Sequence, residues 1–109
     1  MKMDLAILNG FLFDGTGNPA VKMDIGVHNG HIAKIGRISK TEAEQTIDAA
    51  GLAVCPGFID MHNHVDNGVL AFPLVDSYIM QGVTTSVTGN CGASMAPLDN
   101  ETIELSRRY

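Results

Sequence analysis

The 109-residue sequence has no tryptophan, two cysteines, four prolines and only seven lysines and arginines. Each shortage excludes something. A nucleic-acid surface needs a concentrated positive footprint, but the net charge is −5 and the only adjacent cations are Arg107 and Arg108. Two cysteines are too few for a disulfide framework and suit a reducing compartment. A membrane helix needs about 20 apolar residues in succession; every apolar run here is broken well before that by Gly, Pro or Asp. The opening MKMDLAILNG places Asp4 early and turns at Asn9–Gly10, which is not the pattern of a secretory leader. A cytoplasmic protein without a nucleic-acid or membrane partner is expected. Hydrophobic residues make up 45% of the chain and charged residues 17%, a folded composition with enough length for one small domain.

Glycine turns punctuate the first half. Residues 4–8 run into Asn9–Gly10 and residues 24–28 into Asn29–Gly30, each followed by another apolar run. Asn-Gly between such runs is a hairpin signal, because both residues tolerate positive φ. Short strands are expected at 46–49 and 52–55, with residues 39–45 as a polar connection. Residues 1–56 therefore read as a small, antiparallel, sandwich-like β unit. At Pro56–Gly57 the pattern changes. Residues 58–62 (FIDMH) form a short apolar strand of the kind buried on both faces, and residues 83–88 (VTTSVT) a second, rich in β-branched side chains. Between them, residues 73–81 suit a helix, with Pro73 at its first position and Gly82 just past its end. Strand, helix, strand is a βαβ unit, so residues 57–109 should be parallel α/β. A further helix is expected from Asp99, with acids early and Arg107–Arg108 late.

Within GFIDMHNHVDNG (residues 57–68), His62 and His64 are separated by one residue. Alternate residues of a strand share a face about 6.5–7 Å apart, so the two imidazoles could close on one ion, or be exposed polar groups at a strand's end. The βαβ reading adds a third residue. Parallel neighbours end on the same sheet edge, and Cys91 (TGNCG) follows the second strand as His62 and His64 follow the first. The 27 residues from His64 to Cys91 leave room for the crossover. Imidazole nitrogen with thiolate is a ligand set for a borderline-soft ion, most often zinc.

Residues 57–64 (GFIDMHNH), after AVCP (53–56), resemble the motif that opens the metal-dependent barrel of the amidohydrolase superfamily. Residues 81–98 (QGVTTSVTGNCGASMAPL) resemble, more narrowly, the D-aminoacylase (N-acyl-D-amino-acid deacylase) branch. The resemblance implies that His62 and His64 ligate one metal position, and that Cys91 ligates a tightly held zinc able to bridge to a second. It implies an all-β N-terminal part followed by the first βα units of a (β/α)8 barrel. Residues 1–56 would belong to a composite β-sandwich domain and 57–109 to the incomplete barrel, which typically needs about 250 residues. The implied function is zinc-dependent hydrolysis of the amide bond of an N-acyl-D-amino acid. The branch supplies further histidines and its general-base aspartate from later strands, so no catalytic base is expected in this chain. One departure stands out: the branch commonly has an acid directly after the second histidine, where this chain has Val65, and Asp66 could fill part of that role.

Asp60 shares strand parity with His62 and is either a partner that orients a ligand or a buried structural carboxylate. Cys55 reads as packed before the Pro56–Gly57 turn, and His28 and His31 as polar residues flanking a hairpin. Two other functions compete. One is a different amidohydrolase reaction, such as cyclic amide opening or ring deamination. The other is a non-catalytic fragment that self-associates through unpaired strand edges.

Overall fold

The computed structural model describes residues 2–69, 71–92 and 97–106. The chain divides into two compact units, Met1–Pro56 and Gly57–Tyr109.

In the first unit, Asn9–Gly10 does not close a hairpin. Strand β1 (Met3–Leu8) belongs to a four-stranded sheet with β4 (Asp24–His28), β5 (His31–Gly36) and β6 (Ala43–Asp48), in the order β5-β4-β1-β6. Strand β2 (Phe11–Leu12), just past Asn9–Gly10, lies in a second sheet between β3 (Val21–Lys22) and β7 (Ala53–Val54). Three chain paths cross from one sheet to the other: β1 to β2, β3 to β4 and β6 to β7. Asn9, at φ 65°, ties the three bends together. Its N–H donates to Asp24 Oδ1 at 2.7 Å and its Nδ2 to Asp48 Oδ1 at 2.9 Å. Gly10 is required by crowding, since a Cβ there would sit 2.5 Å from Val54 Cγ2. The Asn-Gly signal is thus correct about positive φ at Asn9 alone and wrong about the partner. At Asn29–Gly30 it holds in full: φ values of 51° and 74° close the β4–β5 hairpin, with His28 opposite His31.

The unit is mixed rather than purely antiparallel. β1 pairs parallel with β6, and β2 parallel with β7. A 3₁₀ turn at Lys40–Glu42, closed by a capping box between Ser39 and Glu42, feeds β6 in alongside β1. This is why β6 begins at Ala43 rather than at Thr46. The small core gathers Met3, Ala6, Leu8, Ile38 and Ala43.

The second unit contains the expected βαβ arrangement in shortened form. β8 (Phe58–Asp60) pairs parallel with β9 (Val83–Ser86), and α1 (Asp76–Ile79) lies between them in sequence. The helix is one turn long and starts at Asp76, because Val75 adopts a left-handed conformation (φ 47°, ψ 36°) at its N-cap. It ends at Ile79 with Met80 as its C-cap, so Gly82, at φ 82°, lies three residues past the end and not directly after it as expected. Phe58 and Ile59 are 56% and 62% exposed, not buried on both faces. Among the described residues only β9 flanks β8. A second helix, α2 (Asn100–Ser106), is opened by Asp99, whose Oδ1 accepts from Thr102 N at 2.8 Å. Arg107 and Arg108 lie outside the described residues. No helix among the described residues is long and apolar enough to cross a membrane.

Two outcomes follow. Gly57 faces β9, and a Cβ there would lie 2.7 Å from Thr84 Cβ. Gly57→Ala should therefore destabilise the second unit by about 1–3 kcal/mol. Protection of the β8–β9 amides from exchange should fall, and Thr84→Ala should restore part of it. In the first unit, the Asn9 side chain, then the Ala50 N–H, hold the Asp48 carboxyl below its ordinary 3.8. Glu42 is held below 4.5 by the Ser39 N–H, then by Lys34. Lowered carboxylates stabilise the fold above their unfolded pKa, and that stability is lost as pH falls through the folded value. The thermal midpoint should thus be flat above about pH 5 and fall below about pH 4, with a shallower fall in Asp48→Asn.

Candidate metal centre

Parallel pairing of β8 and β9 sends both chain ends out of the same sheet edge. β8 ends at Asp60, so His62 and His64 lie beyond the strand and strand alternation does not align them. A loop does so instead. Asp60 Oδ1 accepts from His62 N at 3.1 Å, and Asn63 Oδ1 accepts from Val65 N at 3.1 Å. These are two successive Asx turns, each a side chain reaching the backbone two residues on. His64 then occupies the N-cap position of a 3₁₀ turn at Val65–Asn67, with no hydrogen bond from its side chain to the turn. The two imidazoles meet edge to face with centroids 5.9 Å apart.

The loop after β9 supplies the third group. Gly89 and Gly92, both at positive φ, flank Asn90–Cys91. Asn90 Nδ2 donates to the Met61 carbonyl, tying this loop to the one that carries the histidines. Cys91 Sγ contacts His62 Nε2. Ligand atoms of His62, His64 and Cys91 all lie within 4.8 Å of one another, and all three residues are exposed. Among the described residues no other group of three His, Cys, Asp or Glu side chains comes so close.

The other sequence candidates fall elsewhere. Asp60 is not in the cluster; its carboxylate shapes the backbone that carries His62. Asp66 is also outside it, yet its Oδ1 is buried without a hydrogen-bond partner, as is Asn63 Nδ2. Cys55 is free and exposed rather than packed. His28 Nδ1 lies 3.2 Å from Asp4 Oδ1 in the first unit. Asn63 and Asn90 were not legible as site residues. The available signal was an Asx residue two before a strand-end turn, and an asparagine beside the cysteine in TGNC.

The sequence pattern of the amidohydrolase family matches residues 45–103. The chain belongs to that family. This amidohydrolase chain is 48% identical over 95 residues to the D-aminoacylase of Alcaligenes xylosoxydans xylosoxydans, covering 87% of this chain and 20% of that protein. Its structure resembles that of N-acyl-D-glutamate deacylase from Bordetella bronchiseptica, solved with zinc and a phosphonate mimic of the tetrahedral intermediate. The TM-score is 0.83 and the identity 44%, over 89% of this chain and 20% of that one. It is also 43% identical over 89 residues to the adenine deaminase of Listeria welshimeri, covering 80% of this chain and 15% of the deaminase. The chain thus spans about a fifth of the length of the deacylases it matches.

If the cluster ligates as its geometry allows, cobalt(II) added to the chain should give a thiolate-to-cobalt charge-transfer band. The band should vanish in Cys91→Ser and persist in Cys55→Ser.

Proposed function

We propose that His62, His64 and Cys91 are metal ligands, and that this chain is the N-terminal part of a zinc-dependent enzyme hydrolysing the amide bond of N-acyl-D-amino acids. Residues 1–56 would be part of a β-sandwich domain, and 57–109 the start of the metal-dependent barrel. The carrying observation is the convergence of two imidazoles and one thiol on a single edge of the β8–β9 pair. The donor chemistry fits zinc: nitrogen and thiolate sulfur suit a borderline-soft divalent ion, and three side chains leave it at least one position short. The remaining position would be filled by a side chain from elsewhere or by water. The deacylase solved with zinc supports the same ion.

When bound, zinc would act as a Lewis acid on the scissile carbonyl and on water. This chain's own residues would hold and orient. Asp60 sets the His62 backbone, Asn63 the start of the turn that follows His64, and Asn90 the approach of the cysteine loop. Asp66, with an unpartnered buried oxygen, is offered as a residue facing the ligand sphere or substrate. No general base is proposed among these residues. Since a base typically contributes about 10²–10⁴-fold, the isolated chain should release no D-amino acid from N-acetyl-D-methionine, with or without zinc. Zinc binding to the isolated chain should itself be weak, because three ligands on two loops lose ordering entropy on closing. Two exposed free thiols suit a reducing cytoplasm.

The likeness to an adenine deaminase gives a second reading: the same two histidines could serve ring deamination. A chimera distinguishes the two, with residues 1–109 replacing the matching fifth of the Alcaligenes D-aminoacylase. It should hydrolyse N-acetyl-D-methionine, spare the L-enantiomer and leave adenine untouched. Cys91→Ala should abolish turnover and lower zinc content, whereas Cys55→Ala should do neither. Asp60→Ala should weaken zinc binding about 10–100-fold, the usual cost of losing a residue that orients a ligand. Full activity and metal content in the Cys91→Ala chimera would contradict the assignment.

A further inference from the structure

The first unit carries a second group of metal-ligating side chains, which shares no residue with His62, His64 and Cys91. Asn29 and Gly30, at φ 51° and 74°, form the two-residue turn between β4 and β5, so His28 stands directly opposite His31. Opposed residues on antiparallel strands share a face, with Cβ atoms about 4.5–5.5 Å apart. The row continues across the sheet. Leu5 pairs with Val27, which brings Asp4 of β1 beside His28, and Asp4 Oδ1 lies 3.2 Å from His28 Nδ1. Met3 pairs with Ala43 and Leu5 with Gln45, which brings Glu44 of β6 beside Asp4. Adjacent strands, in the order β5-β4-β1-β6, thus line up His31, His28, Asp4 and Glu44.

A structural ion pair would account for Asp4 and His28 by themselves. Two features go further. The first is the tautomer. A carboxylate only accepts hydrogen bonds, so His28 Nδ1 carries the proton that Asp4 accepts, and in the neutral ring Nε2 keeps its lone pair. A carboxylate behind an imidazole in this way fixes the ring and raises its basicity as a ligand. Asp4 is held in turn, because its Oδ2 accepts from Asn29 N at 2.6 Å. One carboxylate therefore sets both the ring and the turn. The second feature is His31. It is exposed, so its ring can turn toward His28 with little loss of packing, and the two imidazoles then form a chelate. Lys34, the hairpin's one lysine, is paired with Glu42 at 2.9 Å, while Asp4 and Glu44 add negative charge to the row, which favours a cation there.

We infer that His28 and His31 bind a divalent late first-row metal ion through their ring nitrogens, with Asp4 as the positioning residue behind His28. Imidazole suits zinc, copper and nickel alike, and water fills the positions that two rings leave open. The ion staples β5, an edge strand among the described residues, to β4. The site needs no barrel strand and no substrate, so it stands whether or not the deacylase reading does.

The test uses the 109-residue chain carrying His62→Ala, His64→Ala and Cys91→Ser, which removes the other ligand group, with nickel(II) chloride as the probe. Nickel(II) is paramagnetic and broadens the amide NMR signals of residues near it. Broadening should centre on residues 28–31 and the thermal midpoint should rise with nickel, both reversed by EDTA. His31→Gln, added to this chain, should lose both effects. It alters an exposed side chain, so the metal-free midpoint should stay where it was and the loss cannot be ascribed to unfolding. Asp4→Asn should weaken nickel binding about 10–100-fold. In the metal-free chain it should also move the His28 ring-nitrogen shifts away from the Nδ1–H tautomer, which a loss of stability alone would not do. Broadening that centres elsewhere, that survives in His31→Gln, or that never develops would overturn the inference. Unchanged affinity and tautomer in Asp4→Asn would overturn the part assigned to Asp4.

Discussion

Parallel pairing of β8 with β9 is the constraint on which the candidate site depends. An antiparallel neighbour would send the second loop to the far end of the sheet, and Cys91 would leave the histidines. A parallel neighbour demands a crossover, which residues 61–82 provide, and it returns the chain so that both strands end on one edge. The ladder is short, with three register pairs and an irregularity between Phe58 and Ile59. Its close approach relies on Gly57 leaving room for Thr84. A backbone contact with no chemical role of its own thus decides whether two imidazoles and a thiol can meet.

The same economy appears in the loops. Polar side chains that could be taken for reactive groups spend their hydrogen bonds on the backbone. Asp60 and Asn63 each turn the chain two residues on, and Asn90 clamps one loop to the other. The first unit repeats the device with different residues. There Asn9 and Asp24 join three strand paths at one corner, Asp24 accepting from Asn9 N and, at 2.9 Å, from Ile38 N. Asx chemistry shapes both units, and in the second it places the donor atoms.

How much of this was legible in the sequence varies with the physics involved. The His62/His64/Cys91 group was readable because a parallel βαβ unit makes a statement about edges that needs no exact strand length. The strands proved shorter than their apolar runs, and the histidines therefore converge through a loop and not through pleat alternation. The Asn29–Gly30 hairpin was readable because both residues act locally. Asn9–Gly10 carries the same local signal, but its outcome depends on β6 and β7, some 40 residues away, with which β1 and β2 pair in parallel. The short helix was legible but its start was not, since Val75 opens it with a conformation that its β-branched side chain disfavours. Asn63 and Asn90 were hidden for a simpler reason: their partners are backbone atoms, which leave no mark in residue spacing.

The central claim is that one sulfur and two imidazole nitrogens from these two loops share a metal. X-ray absorption at the zinc edge of the zinc-loaded chain tests it most directly. The account predicts a mixed first shell, with one sulfur at about 2.3 Å and nitrogen or oxygen neighbours at about 2.0–2.1 Å. The sulfur should be lost in Cys91→Ser and the imidazole scattering reduced in His62→Ala. A shell of nitrogen and oxygen alone in the unaltered chain would contradict it.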